Sequence, residues 1–261
     1  MHEVWWGTFP LRRGQHLKKQ IGPLSLAFKV ELNECQIYYN YLADWKEDSE
    51  EASISLEHLI CSDNLKERFI ISNTDEKLSL LPILADRPVV TKPVTPIYIP
   101  SKQKITIFVS TPLWVRAEYG PDKILLKDIA VIRPSDTWFG PNTMEGEVCY
   151  ASQTKARLEA SNLSRRYHRA TTPIHLFNDS ASHLLLERIN LPVTHLEVYL
   201  DENNRFWTQA VKMINDKDNE TAEMLILPGS PSEASKATLV GVPREMVVEK
   251  SIIRKISGFF E

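Results

Sequence analysis

The sequence holds little glycine and few cysteines, 9 Gly and 3 Cys in 261 residues, against 16 Pro. Nucleotide folds spend glycine on loops that cradle phosphate. None of Gly-x-Gly-x-x-Gly, Gly-x-x-x-x-Gly-Lys, Gly-x-Ser-x-Gly or His-Glu-x-x-His occurs, so phosphate-loop enzymes, elbow-type serine hydrolases and common zinc proteases lose their support. Cys35, Cys61 and Cys149 are odd in number, widely spaced and without Cys-x-x-Cys, which argues against a disulfide framework and a cysteine zinc site. Long apolar runs are missing as well. Stretches such as Ile105–Val109 fall far short of the roughly 20 residues that span a bilayer, so no direct membrane insertion is expected. Charge of one sign is not in excess either: 31 Lys+Arg stand against 34 Asp+Glu, without the electrostatic footprint of a nucleic-acid binder. The opening Met1-His2-Glu3-Val4-Trp5-Trp6 has no basic region followed by an apolar stretch, and a cytoplasmic protein without a secretory signal is expected. Sequons at Asn162, Asn178 and Asn219 then carry no chemistry.

What is present is mostly short, alternating, β-branched and aromatic segments. They predict a mainly β fold, two β-sandwich-like modules of antiparallel strands closed by a C-terminal amphipathic helix. Expected strands include Leu24 to Val30, Cys35 to Leu42, Phe69 to Ser72, Leu78 to Leu81, Ile97 to Ile99, Ile124 to Ile132, Gly146 to Ala151 and Thr238 to Val240. A hairpin centred on Thr111 would pair Ile107 with Val115 and Phe108 with Trp114, although Ser110-Thr111-Pro112 offers no positive φ. A second hairpin turns through Asp201–Arg205, where paired asparagines tolerate left-handed backbone. A third turns through Asn178–Ser182 and would face His175 with His183. The proline-rich stretch 87–96 reads as a linker, giving an N-terminal β module over 1–90, a C-terminal one over 91–242 and the helix over 243–261. The acid-rich Asp44–Glu51 reads as a solvated loop.

Candidate chemistry gathers in one polar and aromatic loop leading into a strand, with Asp136, Trp138, Asn142, Glu145 and Glu147 around Gly140 and Gly146. Two carboxylates at 145 and 147 would share a side of an extended chain, suited to a cation or to acid and base work. The plainer reading is a capped turn, a ring plugging one end of a sandwich, and solvated glutamates. Trp114 and Arg116 on a polar strand face offer a stacking platform for a sugar or peptide, or lie covered by another sheet. Cys149 with His168 would make a thiolate pair, yet a lone cysteine in an apolar run is ordinarily a small buried hydrophobe. The Arg165–Arg169 cluster would suit an anion or simply decorate an exposed loop. His175, His183 and Glu187 form a conceivable metal set, but about 13 Å separates such a His and Glu along a strand. No cofactor and no metal is expected.

Three stretches carry a resemblance: Ala85-Asp-Arg-Pro-Val-Val-Thr-Lys-Pro93, Val109-Ser-Thr-Pro-Leu-Trp-Val-Arg116 and Asp136-Thr-Trp-Phe-Gly-Pro-Asn-Thr-Met-Glu-Gly-Glu-Val-Cys-Tyr150. Over most of its length the chain resembles the family known as domain of unknown function 432. The resemblance implies a prokaryotic protein, in some cases encoded beside small-conductance mechanosensitive channels and hence with a membrane-channel-associated partner; it implies no catalytic residue. The residues themselves favour a non-catalytic binding or protein-interaction module. An enzyme, such as a hydrolase, working from Asp136–Cys149 and a carbohydrate-binding module are the alternatives.

Overall fold

The computed structural model describes residues 4–43, 45–46, 55–72, 75–140, 142, 144–215, 221–246 and 256–257. In chain order the strands are β1 (Gly7–Arg12), β2 (His16–Ile21), β3 (Leu24–Val30), β4 (Glu34–Tyr41), β5 (Leu65–Ile70), β6 (Asp75–Ile83), β7 (Val89–Pro93), β8 (Ile97–Ile99), β9 (Lys104–Pro112), β10 (Trp114–Tyr119) and β11 (Ile124–Ala130). They continue as β12 (Asp136–Phe139), β13 (Glu147–Thr154), β14 (Arg169–Asn178), β15 (Leu184–Leu186), β16 (Ile189–Leu191), β17 (Val198–Leu200), β18 (Phe206–Thr208), β19 (Val211–Asn215), β20 (Thr221–Ile226), β21 (Thr238–Gly241) and β22 (Ile256–Ser257). One short helix, α1 (Leu56–Leu59), is capped by the Ser55 side chain. The protein is therefore mainly β, as its alternating segments predict. The acidic loop lies outside the described residues apart from Trp45 and Lys46. So does most of the expected terminal helix, within which Ile256–Ser257 is a strand paired with β20.

Two compact units emerge, Met1–Pro82 with Leu113–Arg133, and Ile83–Pro112 with Pro134–Glu261. In the first, one sheet runs β1-β6-β10-β11 and another β2-β3-β4-β5. The second of these is a meander: β3, apolar along almost its whole length, is buried between β2 and β4. Its entry turn needs Gly22, at φ 53 in the first position of the two-residue Gly22-Pro23 link, where positive φ matches the strand twist. Tyr41 donates its hydroxyl to the Ala130 carbonyl at 2.7 Å, tying the two sheets.

The second unit has a sheet ordered β12-β13-β7-β16 and a larger one built on β14. The expected linker is instead β7, a strand hydrogen-bonded on both sides, with Val89, Val90 and Thr91 buried. Its prolines sit where ladder donors are not needed: Pro88 lends its carbonyl to Tyr150 N–H, and Pro93 ends the strand. The chain passes between the two units after Pro82, after Pro112 and after Arg133.

The hairpin expected about Thr111 does not form. Pro112 ends β9, and after Leu113 the chain enters β10; the link has no residue at positive φ, which the favoured two-residue hairpin turns need. Instead β9 pairs along nine residues with β14, and β10 pairs with β11. Phe108 therefore meets Trp207 edge-on at 6.2 Å rather than Trp114, and Arg116 meets Asp128. The Asp201–Arg205 hairpin is present, with Leu200 opposite Phe206 and Asn204 at φ 54. The third hairpin is replaced: β15 pairs with β8, not β14. Asn178 explains the change, for its side-chain amide donates to the carbonyls of Ile99, Pro100 and Ser182 and ties the turn to the end of β8.

Pro173 lies inside β14, where a proline costs a ladder bond. It is tolerated because one edge of β14 is shared by two strands, β18 at Ala170 and Thr171 and β19 from Ile174 onward. Pro173 occupies the gap between them.

Candidate functional site

Period-two alternation sorts the β9–β14 pair into two faces. Ile107, Val109, Ala170 and Ile174 enter the core, while Phe108, Ser110, Thr171 and Arg169 line the opposite face. Segment 154–157 runs beside β9 there: Phe108 and Arg157 exchange backbone hydrogen bonds at 2.7 and 3.1 Å. Thr154 Oγ1 accepts from the N–H groups of Ser110 and Ala156, with Ala156 held at φ 42. A strap through Asn162, Leu163 and Arg166, and the start of β18 at Arg205 and Phe206, complete the walls. The cavity measures about 40 Å³, room for a few waters or one tetrahedral oxyanion.

Its lining is strongly cationic. Lys155, Arg157, Arg166, Arg169 and Arg205 all border it, and no Asp or Glu does. Arg169 is 9% exposed and forms the floor, donating Nε to Ser110 Oγ at 3.1 Å and Nη2 to the carbonyls of Ser110 (2.8 Å) and Gln153 (3.1 Å) and to Ser152 Oγ. These acceptors fix the fork. On the wall, Arg205 Nε lies 3.6 Å from Asp201 Oδ2. Asp201 also caps the hairpin turn through Asn203 and Arg205 N–H and accepts from Trp207 Nε1 at 2.9 Å. Behind the cavity, Phe108, Tyr199, Trp207 and Ala234 pack as a small apolar cluster with Leu163 against it.

The residues singled out in the sequence fall elsewhere. Asp136, Trp138 and Tyr150 share one face of the β12–β13 hairpin, and Glu147, opposite Phe139, points to the other. Asp136 lies 3.4 Å from Arg87, whereas Glu147 accepts from the buried Asn190 at 2.9 Å. Glu145 is exposed in the turn, where the Asn142 side-chain carbonyl accepts from Met144 and Glu145 N–H. The three carboxylates do not converge. Trp138 is 41% exposed and donates Nε1 to the Asn142 carbonyl at 2.8 Å. Gly146 is required there: at φ 155, a Cβ would stand 2.8 Å from the indole.

Trp114, half-buried, and Arg116 lie on β10 in the first unit, and the Arg116 guanidinium is bound bidentately by Asp128 at 2.9 Å. Cys149 is buried and donates Sγ to the Glu147 carbonyl, the setting of a buried hydrophobe rather than a nucleophile. His175 pairs with Thr106 at 3.0 Å, and its lateral neighbours are Thr106 and Lys212, so the His175–His183–Glu187 set is not assembled by a shared hairpin. Among the described residues, no group of three His, Cys, Asp or Glu has metal-holding geometry, and no helix is long and apolar enough to cross a membrane.

Of the cavity's cations, the sequence pointed to those in Arg165–Arg169 and gave them the weaker of two readings. Arg165 is exposed, as the reading of an exposed loop expected, but Arg169 is buried. A sharper signal was the wider window: residues 155–169 hold five cations and one acid, Glu159. Arg205 gave no signal, since only the pairing of β18 with β14 brings it near.

The family model described as "Protein of unknown function (DUF432)" matches residues 5–261, and the chain belongs to that family. No curated protein and no solved structure matches it.

Proposed function

We propose that this member of the DUF432 family is a binding protein whose second unit captures a small oxyanion, phosphate by preference, in the Arg169 cavity. The observation that carries this reading is five cationic side chains and no carboxylate around a cavity whose floor is a nearly buried arginine. Arginine forks match the oxygen spacing of phosphate. Serine and threonine hydroxyls on the walls supply neutral donors. A cytoplasmic setting fits three free cysteines, two of them buried.

The test is thermal unfolding and calorimetric titration with inorganic phosphate. Phosphate is expected to raise Tm, and Arg166→Ala to reduce the rise; Arg169→Met should abolish it while the protein stays folded. No shift with phosphate or sulfate would remove the proposal.

A protein partner is a second reading, the channel-associated one included. Trp138, Met144 and Val148, respectively 41%, 90% and 46% exposed, support it. Trp138→Ala should then weaken capture of the partner without altering the phosphate response. The same ring beside Asn142 supports the carbohydrate alternative, which glycan binding lost in that variant would favour.

A further inference from the structure

An edge strand leaves half of its backbone groups without a ladder partner, and a second chain can pair with them. β12 is such an edge, bonded on one side only, to β13. Ala151 N–H donates to the Ser135 carbonyl at 2.8 Å, and that bond sets the alternation along the ladder. Ser135, Thr137 and Phe139 turn their N–H and C=O groups toward β13, while Asp136 and Trp138 turn theirs outward. Among the described residues these outward groups have no backbone partner. Several other edges are guarded: β16, at the far end of the same sheet, is buried throughout, β2 and β5 carry lysines, and β1 carries Pro10. β12 has neither lysine nor proline and shows an exposed indole instead. Asp136 and Trp138 share their face with Val148 and Tyr150. At the Asp136 end, Tyr150 donates its hydroxyl to Asp86 at 3.0 Å and Arg87 lies 3.4 Å from Asp136, so two exposed carboxylates meet one guanidinium. Glu145 adds a third exposed carboxylate in the turn beyond Trp138.

We propose that β12 takes up an extended segment of a partner protein as an added strand, and that this segment carries an apolar residue beside Trp138 and a lysine or arginine, two residues away, beside Asp136. This rests on the protein-partner reading and is independent of the anion cavity. The outward N–H and C=O groups of Asp136 and Trp138 select an extended main chain, and alternate side chains set the choice of segment. Directly opposed residues of such a pair stand on one face, which puts the apolar residue against the indole and the cation against the excess of carboxylates.

The probe is a heptapeptide blocked at both ends, in which threonines alternate with lysine, valine and lysine, titrated into the isotope-labelled full chain and followed by nuclear magnetic resonance. The amides of Asp136 and Trp138 and the Trp138 indole should shift, and amide hydrogen exchange at both residues should slow. The same peptide with N-methylvaline, which has no N–H to give, and one with glutamate in place of lysine should each bind at least about tenfold more weakly. Asp136→Lys should reverse the preference between the lysine and glutamate peptides. Both peptide controls use the unaltered protein, so they decide the matter even where a variant fails to fold. Equal binding of the N-methylated peptide would overturn strand addition, equal binding of the glutamate peptide would overturn the basic partner, and binding of no peptide would overturn the proposal. The partner reading itself falls separately, if Trp138→Ala leaves capture of the partner unchanged.

Discussion

The two units reach stability by different chemistry. Among the described residues the first buries three polar side chains, Lys19, Ser25 and Asn64, whereas the second buries twelve, from Thr91 to Asn215. The first is a meander and a second sheet filled with Leu, Ile, Phe and Tyr, and hydrophobic burial dominates it. Strand order departs from chain order in both, as where β1 pairs with β6, and in the second there are parallel pairs, β13 with β7 and β14 with both β18 and β19. Crossovers leave loops inside the unit whose backbone groups need partners, and buried Asn, Thr and Asp side chains provide them. The lesson is that the unit with the more demanding topology also has the fixed polar groups from which a binding cavity is made.

Substitutions can break or sharpen this contrast. The largest effects should come from the centres of the two units, by opposite routes. Leu26→Ala in β3 should destabilise the protein by about 2–5 kcal/mol through a cavity. Asn178→Ala should cost about 3 kcal/mol or more, because three carbonyls lose their donor. Urea unfolding checks both, and a cost below about 1 kcal/mol for the asparagine would refute the polar account of the second unit.

A finer probe is the Thr172–Thr208 hydroxyl pair, 2.8 Å apart and buried. Either Thr→Val change alone should cost about 1–2 kcal/mol, and the double change less than the sum, since each single change already leaves the other hydroxyl without this partner. A strictly additive double-mutant cycle would show that the pair is not coupled.

Alkaline pH distinguishes apolar burial from polar pairing. Burial pushes the Cys35 thiol in the first unit from 9.0 to about 12 and the Tyr41 phenol from 10.0 to about 12. Tyr199 in the second unit is raised by burial and then by its hydrogen bond to Glu197. Each group stays protonated in the fold after the unfolded chain has lost its proton. The stability they contribute is thus whole below pH 9 and falls as pH climbs toward 12. Tm should be flat from pH 7 to 9 and drop above it, with Cys35→Ala removing the earliest part of the drop.

The smallest effect is expected at Arg116. Its paired, partly exposed guanidinium should cost about 1 kcal/mol on change to Ala, and anion binding should be unaffected.

Much of the fold was legible because alternation fixes which segments are strands. The β3, β4, β8, β11 and β21 assignments agree closely with the sequence pattern. Strand partners were legible only where a turn carries its own chemistry, as at Asp201–Arg205. For β9, both faces of an imagined hairpin looked satisfactory, but complementarity between neighbours in sequence cannot reveal a better partner about sixty residues away. Prolines misled at 87–96 because the cost of a missing N–H depends on whether a neighbour needs it. The cavity was half legible: the basic window is plain in the chain, but the burial of Arg169 follows from its place opposite Pro112 on the β9–β14 ladder.

The excursion of residues 83–112 between the two parts of the first unit bears on how the protein is made. A ribosome must deliver residues 113–133 before the β1-β6-β10-β11 sheet can close. During that interval β9, with its row of Ile and Val, has been synthesised while β14 has not. Neither unit can be obtained by cutting the gene once. The first can be expressed alone only by joining Pro82 to Leu113 through a new connection, and the second only as a chain from which residues 113–133 have been excised.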